Sequence, residues 1–545
     1  MKTRDFDYVI VGAGTAGCTL ACRLSENEGA RVLIIEAGGW DSHPLLQVPV
    51  AWPYLFRNRM KDWMYFSEPD ASIGPRRLDC ARGKVVGGSS TINAMAYMRG
   101  HPRDYDRWAA RGLPEWSYER VLPYFKRSES WEGGGDIYRG GNGPLTTRFS
   151  RFDDPLRDCF TESGMSAGYG VTADFNGAEP EGFATWQSTI RDGRRCSAAV
   201  AFLRPALKRP NVELVVKALT TRVIMEGTKA LGVEFVHDGQ LHIAHAQQEV
   251  ILAAGVINTP QLLNLSGIGD PDDLRRLGIA PIIGLRGVGR NLQDHISVGI
   301  SYARKEPGPL CRALRGDRIL RELGNAYFRG KGIATDLPAG GLAHLKSAPD
   351  EILPDIQLLM AAAPMDARPY LSPFVPAYGD GFMIRAVVLR PESRGYVRLI
   401  SSKPDVAPII VQNFLATDRD RKALRSGVRM ARDVGRQRPL ARLVDRELTP
   451  KGYSDIEIDE LIGSGAISVH HPCGTCKMGA EDDELAVVDS ELRVFGAQRL
   501  RVVDASAMPD IVGGAINAPV FMIAEKAADL ISGARNSHAN AAAAH

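Results

Sequence analysis

The run DYVIV (Asp7–Val11) passes directly into GAGTAG (Gly12–Gly17), and this junction restricts the fold more than any other segment. Tyr8, Val9, Ile10 and Val11 are strand formers. Gly12, Gly14 and Gly17 then fall in G-x-G-x-x-G spacing, and AGCTLACRLSE continues with helical periodicity. A second β-rich run, RVLIIE, ends at Glu36, at roughly the 20-residue distance expected of an acid that meets a ribose. Strand, glycine turn, helix and strand in this order predict a βαβ unit of a Rossmann-like α/β fold. The glycines allow a tight turn, backbone approach to a pyrophosphate, and close packing of helix on strand. The helix N-terminus faces the phosphates. This unit alone does not separate a nicotinamide from a flavin dinucleotide.

Two further segments do. RGKVVGGSSTINAMAYMRG (Arg82–Gly100) places Gly87, Gly88, Ser89 and Ser90 in a small-residue loop, with the Asn93 amide nearby. Such a loop can lie flat against a large planar or phosphate-bearing ligand. Near the C-terminus, LRVV reads as a buried strand ending at Asp504. Asn517-Ala518-Pro519 then opens a helix, with proline in its first turn. That helix points about half a positive charge at whatever lies before it. An isoalloxazine ring gains negative charge at N1–C2=O on reduction and would be stabilised there. A nicotinamide, neutral when reduced, would gain nothing comparable, so the segment favours a flavin.

The stretch SVHHPCGTCKMG (Ser468–Gly479) admits a metal knuckle, a redox pair or a catalytic base. Zinc needs about four converging ligands, and Cys473 and Cys476 have no second pair of matching spacing. A thioredoxin-like pair would open a helix after a strand. If the segment is extended, His470 and His471 point to opposite sides.

In family order across nearly the whole chain, these motifs resemble those of the glucose-methanol-choline (GMC) oxidoreductases. GVINTPQLLNLSGIG (Gly255–Gly269) and GVGRNLQDH (Gly287–His295) add to the match, with the bacterial choline-dehydrogenase-like and alcohol-oxidase-like group nearest. The resemblance implies FAD, and oxidation of an alcohol by oxygen or a quinone-like acceptor. It puts Gly12, Gly14 and Gly17 on the pyrophosphate and Glu36 on the adenosine ribose. Gly88, Ser89, Asn93, Ala94 and Met95 should lie along the flavin and its phosphates, with Thr220 at the adenine edge. Asp504 and Ala505 should meet the pyrophosphate–ribityl part, and Asn517, Ala518 and Pro519 the flavin ring. Members that bind FAD through histidine carry it near the position of Ile92, so FAD here is expected to be non-covalent. The family usually has a small residue where this chain has Val256.

The family pattern makes His471 the base and Asn517 its partner toward the substrate oxygen. A positioned base contributes on the order of 10²–10⁴ in rate. His470 is a candidate pocket residue, the cysteines are expected to pack, and no metal is expected. The expected reaction is primary alcohol to aldehyde, with proton abstraction by His471 and hydride transfer to flavin N5. Hydroxynitrile lyase chemistry is the alternative on the same fold. A choline-like cation would want aromatic faces or a carboxylate, and Trp186 and Tyr378 are candidates for the former.

At 545 residues the chain exceeds one ordinary core. A discontinuous FAD-binding domain is expected from 1–100, 190–300 and 465–535. An α+β substrate domain with an antiparallel sheet is expected from 101–189 and 301–464. GFMIRAVVLRPESRGYVRLISS (Gly381–Ser402) reads as two β-runs of that sheet around a turn. Residues 536–545 read as a disordered tail. A net charge of +3 gives no reason to expect nucleic acid. There is no apolar window of membrane-spanning length. The eight scattered cysteines suggest reduced thiols in a cytoplasm.

Overall fold

The structure, a computed structural model, describes residues 3–364 and 366–533. The expected tail at 536–545 lies outside the described residues. The strand Thr3–Val11 is central, flanked in parallel by Val32–Ile35 and Gln240–Leu252. A parallel strand is covered on both faces and so needs consecutive apolar residues. Val9 and Ile10 accordingly show no exposed surface. Val212–Val215 extends this sheet beyond Val32–Ile35, and Leu500–Val502 joins in parallel along the end of Gln240–Leu252. On the other side Ala218–Glu226 and Lys229–His237 form an antiparallel meander into Gln240–Leu252.

The helix Thr15–Leu24 packs against the last helix, Asn517–Ser532. Arg23 donates to the buried Glu525 carboxylate through Nε and Nη2, each at 2.8 Å. Arg127 donates to the same carboxylate from the helix Tyr118–Ser128. Tyr105, Trp108, Trp116 and Phe125 join the core beneath this helix pair. Residues 101–128, expected in the substrate domain, therefore pack against the dinucleotide-binding half.

A second, fully antiparallel sheet runs Val444–Glu447, Ile296–Arg304, Gly381–Val388, Ile356–Ala361, Ala339–Leu345, Gly182–Thr185. Ile467–Ser468 also pairs with Ile296–Arg304. The chain thus enters this sheet at Ile296, ahead of residue 300, and touches it again at 467–468. The helix Asp418–Arg436 covers one face, with Ala423, Leu424, Val428, Ala431 and Val434 turned inward.

The two β-runs of Gly381–Ser402 do not form a hairpin. Both edges of Gly381–Val388 are taken by Ile296–Arg304 and Ile356–Ala361. Tyr396–Arg398 pairs instead with Ile409–Val411 in a separate ribbon. The intervening turn is held away by Asp420, which accepts from the backbone N–H groups of Glu392 and Ser393. No helix among the described residues is long and apolar enough to cross a membrane.

Candidate active site

A cavity runs from the glycine turn to the histidine pair. At its dinucleotide end Gly12 has φ +102°, and a Cβ there would fall 2.5 Å from the Ala253 carbonyl oxygen. Gly88, at φ +54°, would put its Cβ 2.7 Å from the Gly14 Cα. The two glycine loops therefore touch backbone to backbone, joined by Gly87 N–H to Ala13 O at 2.7 Å. Only glycine combines that contact with a left-handed backbone without strain.

Glu36 accepts from Ala13 N–H at 2.8 Å and Gly38 N–H at 2.7 Å, which aims it at the cavity. Burial raises its pKa to about 7, against the pull of those N–H groups. Thr220 Oγ1 is buried with no protein partner. Asp504 ties its own turn to a second segment, accepting from Gly255 N–H at 2.8 Å, Thr259 Oγ1 at 2.6 Å and Ser506 N–H at 2.7 Å. The helix it caps runs from Gly255 to Leu265. A glycine-walled cradle, a buried carboxylate and an orphaned hydroxyl fit a dinucleotide such as FAD.

At the other end the segment 467–474 is zipped to 291–296. Gln293 and Cys473 exchange backbone hydrogen bonds at 3.1 and 2.9 Å, and Val469 N–H donates to His295 O at 3.1 Å. Asp294 braces the turn, accepting from His471 N–H at 2.8 Å and Ser468 Oγ at 2.6 Å. His470 N–H reaches Ser468 Oγ at 2.8 Å. Its φ of +63° breaks the extended run. The condition under which the two rings would face opposite sides therefore does not hold, and both line the cavity. A left-handed non-glycine residue costs about 1 kcal/mol or more and persists where its surroundings over-determine it.

His471 Nδ1 lies 3.0 Å from His295 Nδ1, and His295 Nε2 lies 3.0 Å from Leu389 O. The carbonyl can only accept, so His295 carries its proton on Nε2 and presents a lone pair at Nδ1. His471 must then donate from Nδ1, which leaves its Nε2 unprotonated. Burial holds both rings neutral, pushing His295 down to about 4 and His471 well below the usual histidine value. Also on the cavity lining, Asn517 Oδ1 accepts from Thr15 Oγ1 at 2.8 Å.

Of the expected site residues, Gly12, Gly14, Glu36, Gly88, Ser89, Asn93, Ala94, Thr220, Asp504, Ala505, Asn517, His470 and His471 line the cavity. Gly17, Met95, Ala518 and Pro519 do not. Gly17 packs on Gly12, since a Cβ would meet its carbonyl oxygen at 1.9 Å. Met95 is buried with Ile190 and Leu337, while Ala518 and Pro519 sit in the core beneath the helix start. Trp186 and Tyr378 are also core residues away from the cavity. Cys473 and Cys476 are buried free thiols whose pKa values burial drives far up. Sequence reading missed Arg82, Asp294 and His295, although all three lie within quoted motifs. It also missed the aromatic wall of Trp52, Phe56 and Trp63.

This pairing of a glycine-cradled dinucleotide site with a buried neutral histidine is that of a flavin-dependent oxidoreductase. The chain belongs to the GMC oxidoreductase family, whose N-terminal model matches residues 6–297 and whose C-terminal model matches 391–524. It is an FAD-dependent oxidoreductase acting on CH–OH donors. It is 42% identical over 533 residues to oxygen-dependent choline dehydrogenase of Brucella anthropi, covering 97% of this chain and 96% of that one. The mitochondrial choline dehydrogenase of Mus musculus is 41% identical over 541 residues, covering 97% and 90%. The solved structure of pyridoxine 4-oxidase from Mesorbium loti superposes with a TM-score of 0.85 at 35% identity, covering 96% and 98%.

Proposed function

We propose that the protein oxidises a primary alcohol to an aldehyde, with His471 as the base. The hydrogen-bond chain Leu389–His295–His471 carries this reading, because it leaves the His471 Nε2 lone pair on a cavity-lining ring. The hydroxyl proton passes to that lone pair while the His471 Nδ1–H stays hydrogen-bonded to His295 Nδ1. FAD, when bound, supplies the acceptor for the hydride that leaves the carbinol carbon. With its Oδ1 engaged by Thr15, Asn517 turns its amide N–H groups to the substrate oxygen as negative charge grows there. Arg82 Nη2 donates to His470 O at 2.7 Å and keeps the histidine turn in place.

Gly12, Gly14, Gly88 and Ser89 would hold the pyrophosphate region, Glu36 and Thr220 the adenosine, and Asn93 and Ala94 the flavin. Gly17 would support this from behind by keeping the helix close. Ile92 lines the cavity and offers no nucleophile, so we read the FAD as non-covalent. Electrons then pass to oxygen or a quinone-like acceptor. We place the protein in the cytoplasm, where its eight buried, unpaired cysteines stay reduced.

Anaerobic mixing of the FAD-loaded protein with a panel of primary alcohols should bleach the oxidised flavin. His471→Ala should slow bleaching by roughly 10²–10⁴ while leaving FAD bound. A spectrum unchanged by every alcohol, with cleavage of a cyanohydrin, would turn the assignment to lyase chemistry.

A further inference from the structure

Arginines buried in this fold come with a carboxylate. Arg99 and Arg139 share Glu129 at 2.6 Å each, and Arg432 meets Glu447 at 2.9 Å. Arg148 meets Asp336 at 3.0 Å, and Arg501 meets Glu249 at 2.6 Å. Pairing of this kind offsets the cost of taking a guanidinium out of water. Arg195 departs from the pattern. It is 2% exposed and has no ion-pair partner among the described residues.

Its partners are uncharged oxygens. Nε donates to Leu46 O at 2.9 Å. Nη1 donates to Asn93 O at 2.6 Å, Asn93 Oδ1 at 2.9 Å and Ser90 O at 3.2 Å. Nη2 is buried without a protein partner. Burial alone draws the pKa down, to about 9, so the group keeps its proton at neutral pH. A fixed, unpaired positive charge is thus hydrogen-bonded to the small-residue loop at its Asn93 end.

Asn93 connects that charge to the cavity, which it lines together with Ile92 and Ala94. Its Oδ1 accepts from Arg195 and also from Met95 N–H at 3.0 Å. Both neighbours are donors, which fixes the oxygen end of the amide and leaves the Nδ2 hydrogens for a ligand in the cavity. A neutral donor could tie the same carbonyls. The charge adds to this when the ligand itself becomes negative, because a buried pair of opposite charges is screened far less than an exposed one.

We infer that Arg195 is a positioning residue for the flavin. It orients the Asn93 amide toward the cavity and holds an unpaired positive charge that favours the reduced, anionic ring over the oxidised, neutral one. This rests on the reading above that the flavin lies at Asn93 and Ala94.

The test titrates the FAD-loaded protein anaerobically with a reductant against a reference dye, which reads the flavin midpoint potential without any alcohol. Arg195→Gln should shift the equilibrium toward the oxidised form by about tenfold or more, roughly 30 mV for a two-electron couple. Arg195→Lys keeps the charge and should stay within about threefold of the parent, roughly 15 mV. A Gln variant within that margin, or a Lys variant displaced as far as Gln, overturns the inference while FAD binding stands. Weaker binding of oxidised FAD by Arg195→Gln at unchanged potential would assign the charge to the pyrophosphate, and overturns it too. If Arg195→Gln retains no FAD, the Lys variant decides: the parental potential supports the inference and a tenfold shift overturns it. Asn93→Ala should weaken FAD binding or move the potential, and no change in either would remove the flavin from Asn93 and overturn the reading beneath the inference. Alcohol oxidation is judged separately by the bleaching panel, so its failure would leave the result for Arg195 standing.

Discussion

His295 touches neither substrate nor cofactor in the scheme above, yet the state of His471 depends on it. Replacing it by leucine removes the acceptor 3.0 Å from His471 Nδ1 and the donor to Leu389 O. One neutral hydrogen bond contributes about 1 kcal/mol, so its loss alone depopulates the productive tautomer roughly fivefold. A freed ring can also rotate, and the ceiling is the full contribution of a positioned base, on the order of 10²–10⁴. We therefore expect His295→Leu to lower the limiting rate of anaerobic flavin reduction by roughly 5- to 100-fold, with FAD retained. His295→Asn is the informative companion, because its Oδ1 can occupy the place of Nδ1 and accept from His471. It should recover most of the loss although the Leu389 contact is gone. Stopped-flow reduction with one saturating alcohol measures both variants. Leucine within twofold of the parent, or asparagine no better than leucine with equal FAD content, would refute the tautomer argument.

Two further outcomes follow from the dinucleotide end. Gly88→Ala places a methyl 2.7 Å from the Gly14 Cα on a left-handed backbone, so purified protein should lose most of its FAD. Full flavin content by absorbance would contradict the cradle. Glu36 has a pKa of about 7 in the free site, and a ribose hydroxyl donating to it favours the carboxylate. FAD affinity should therefore rise with pH through that value, approaching tenfold per unit on the acid side, and titration of apoprotein with FAD measures this. Glu36→Gln should bind more weakly and flatten the dependence.

The parts legible in the sequence were those where one short stretch does the whole job. Gly12 and Gly14 sit in a contiguous turn whose spacing reports backbone geometry directly, and Asp504 and Asn517 mark a strand end and a helix start. Gly17 was expected on the pyrophosphate with them, but it packs on Gly12 rather than lining the cavity. The catalytic arrangement was only half legible. His471 stands out within its motif, but the group that fixes its tautomer lies 176 positions away, joined through strand pairing that no local pattern announces. The orientation of His470 depends on one left-handed φ at a residue type that does not demand it. The failed hairpin at Gly381–Ser402 shows the same limit. Each run has strand character, but which edges are free is decided by Ile296–Arg304 and Ile356–Ala361.

The hydrogen bond between Thr15 and Asn517 spans 502 positions. It joins the first helix of the dinucleotide fold to the start of the last one, where both line one cavity. The central strand Thr3–Val11 likewise waits for Gln240–Leu252, and that strand for Leu500–Val502. During synthesis, then, the glycine turn leaves the ribosome early and stays without Asn517 beside it until nearly the whole chain has followed. A complete dinucleotide site therefore exists only when segments from both ends of the chain are assembled together.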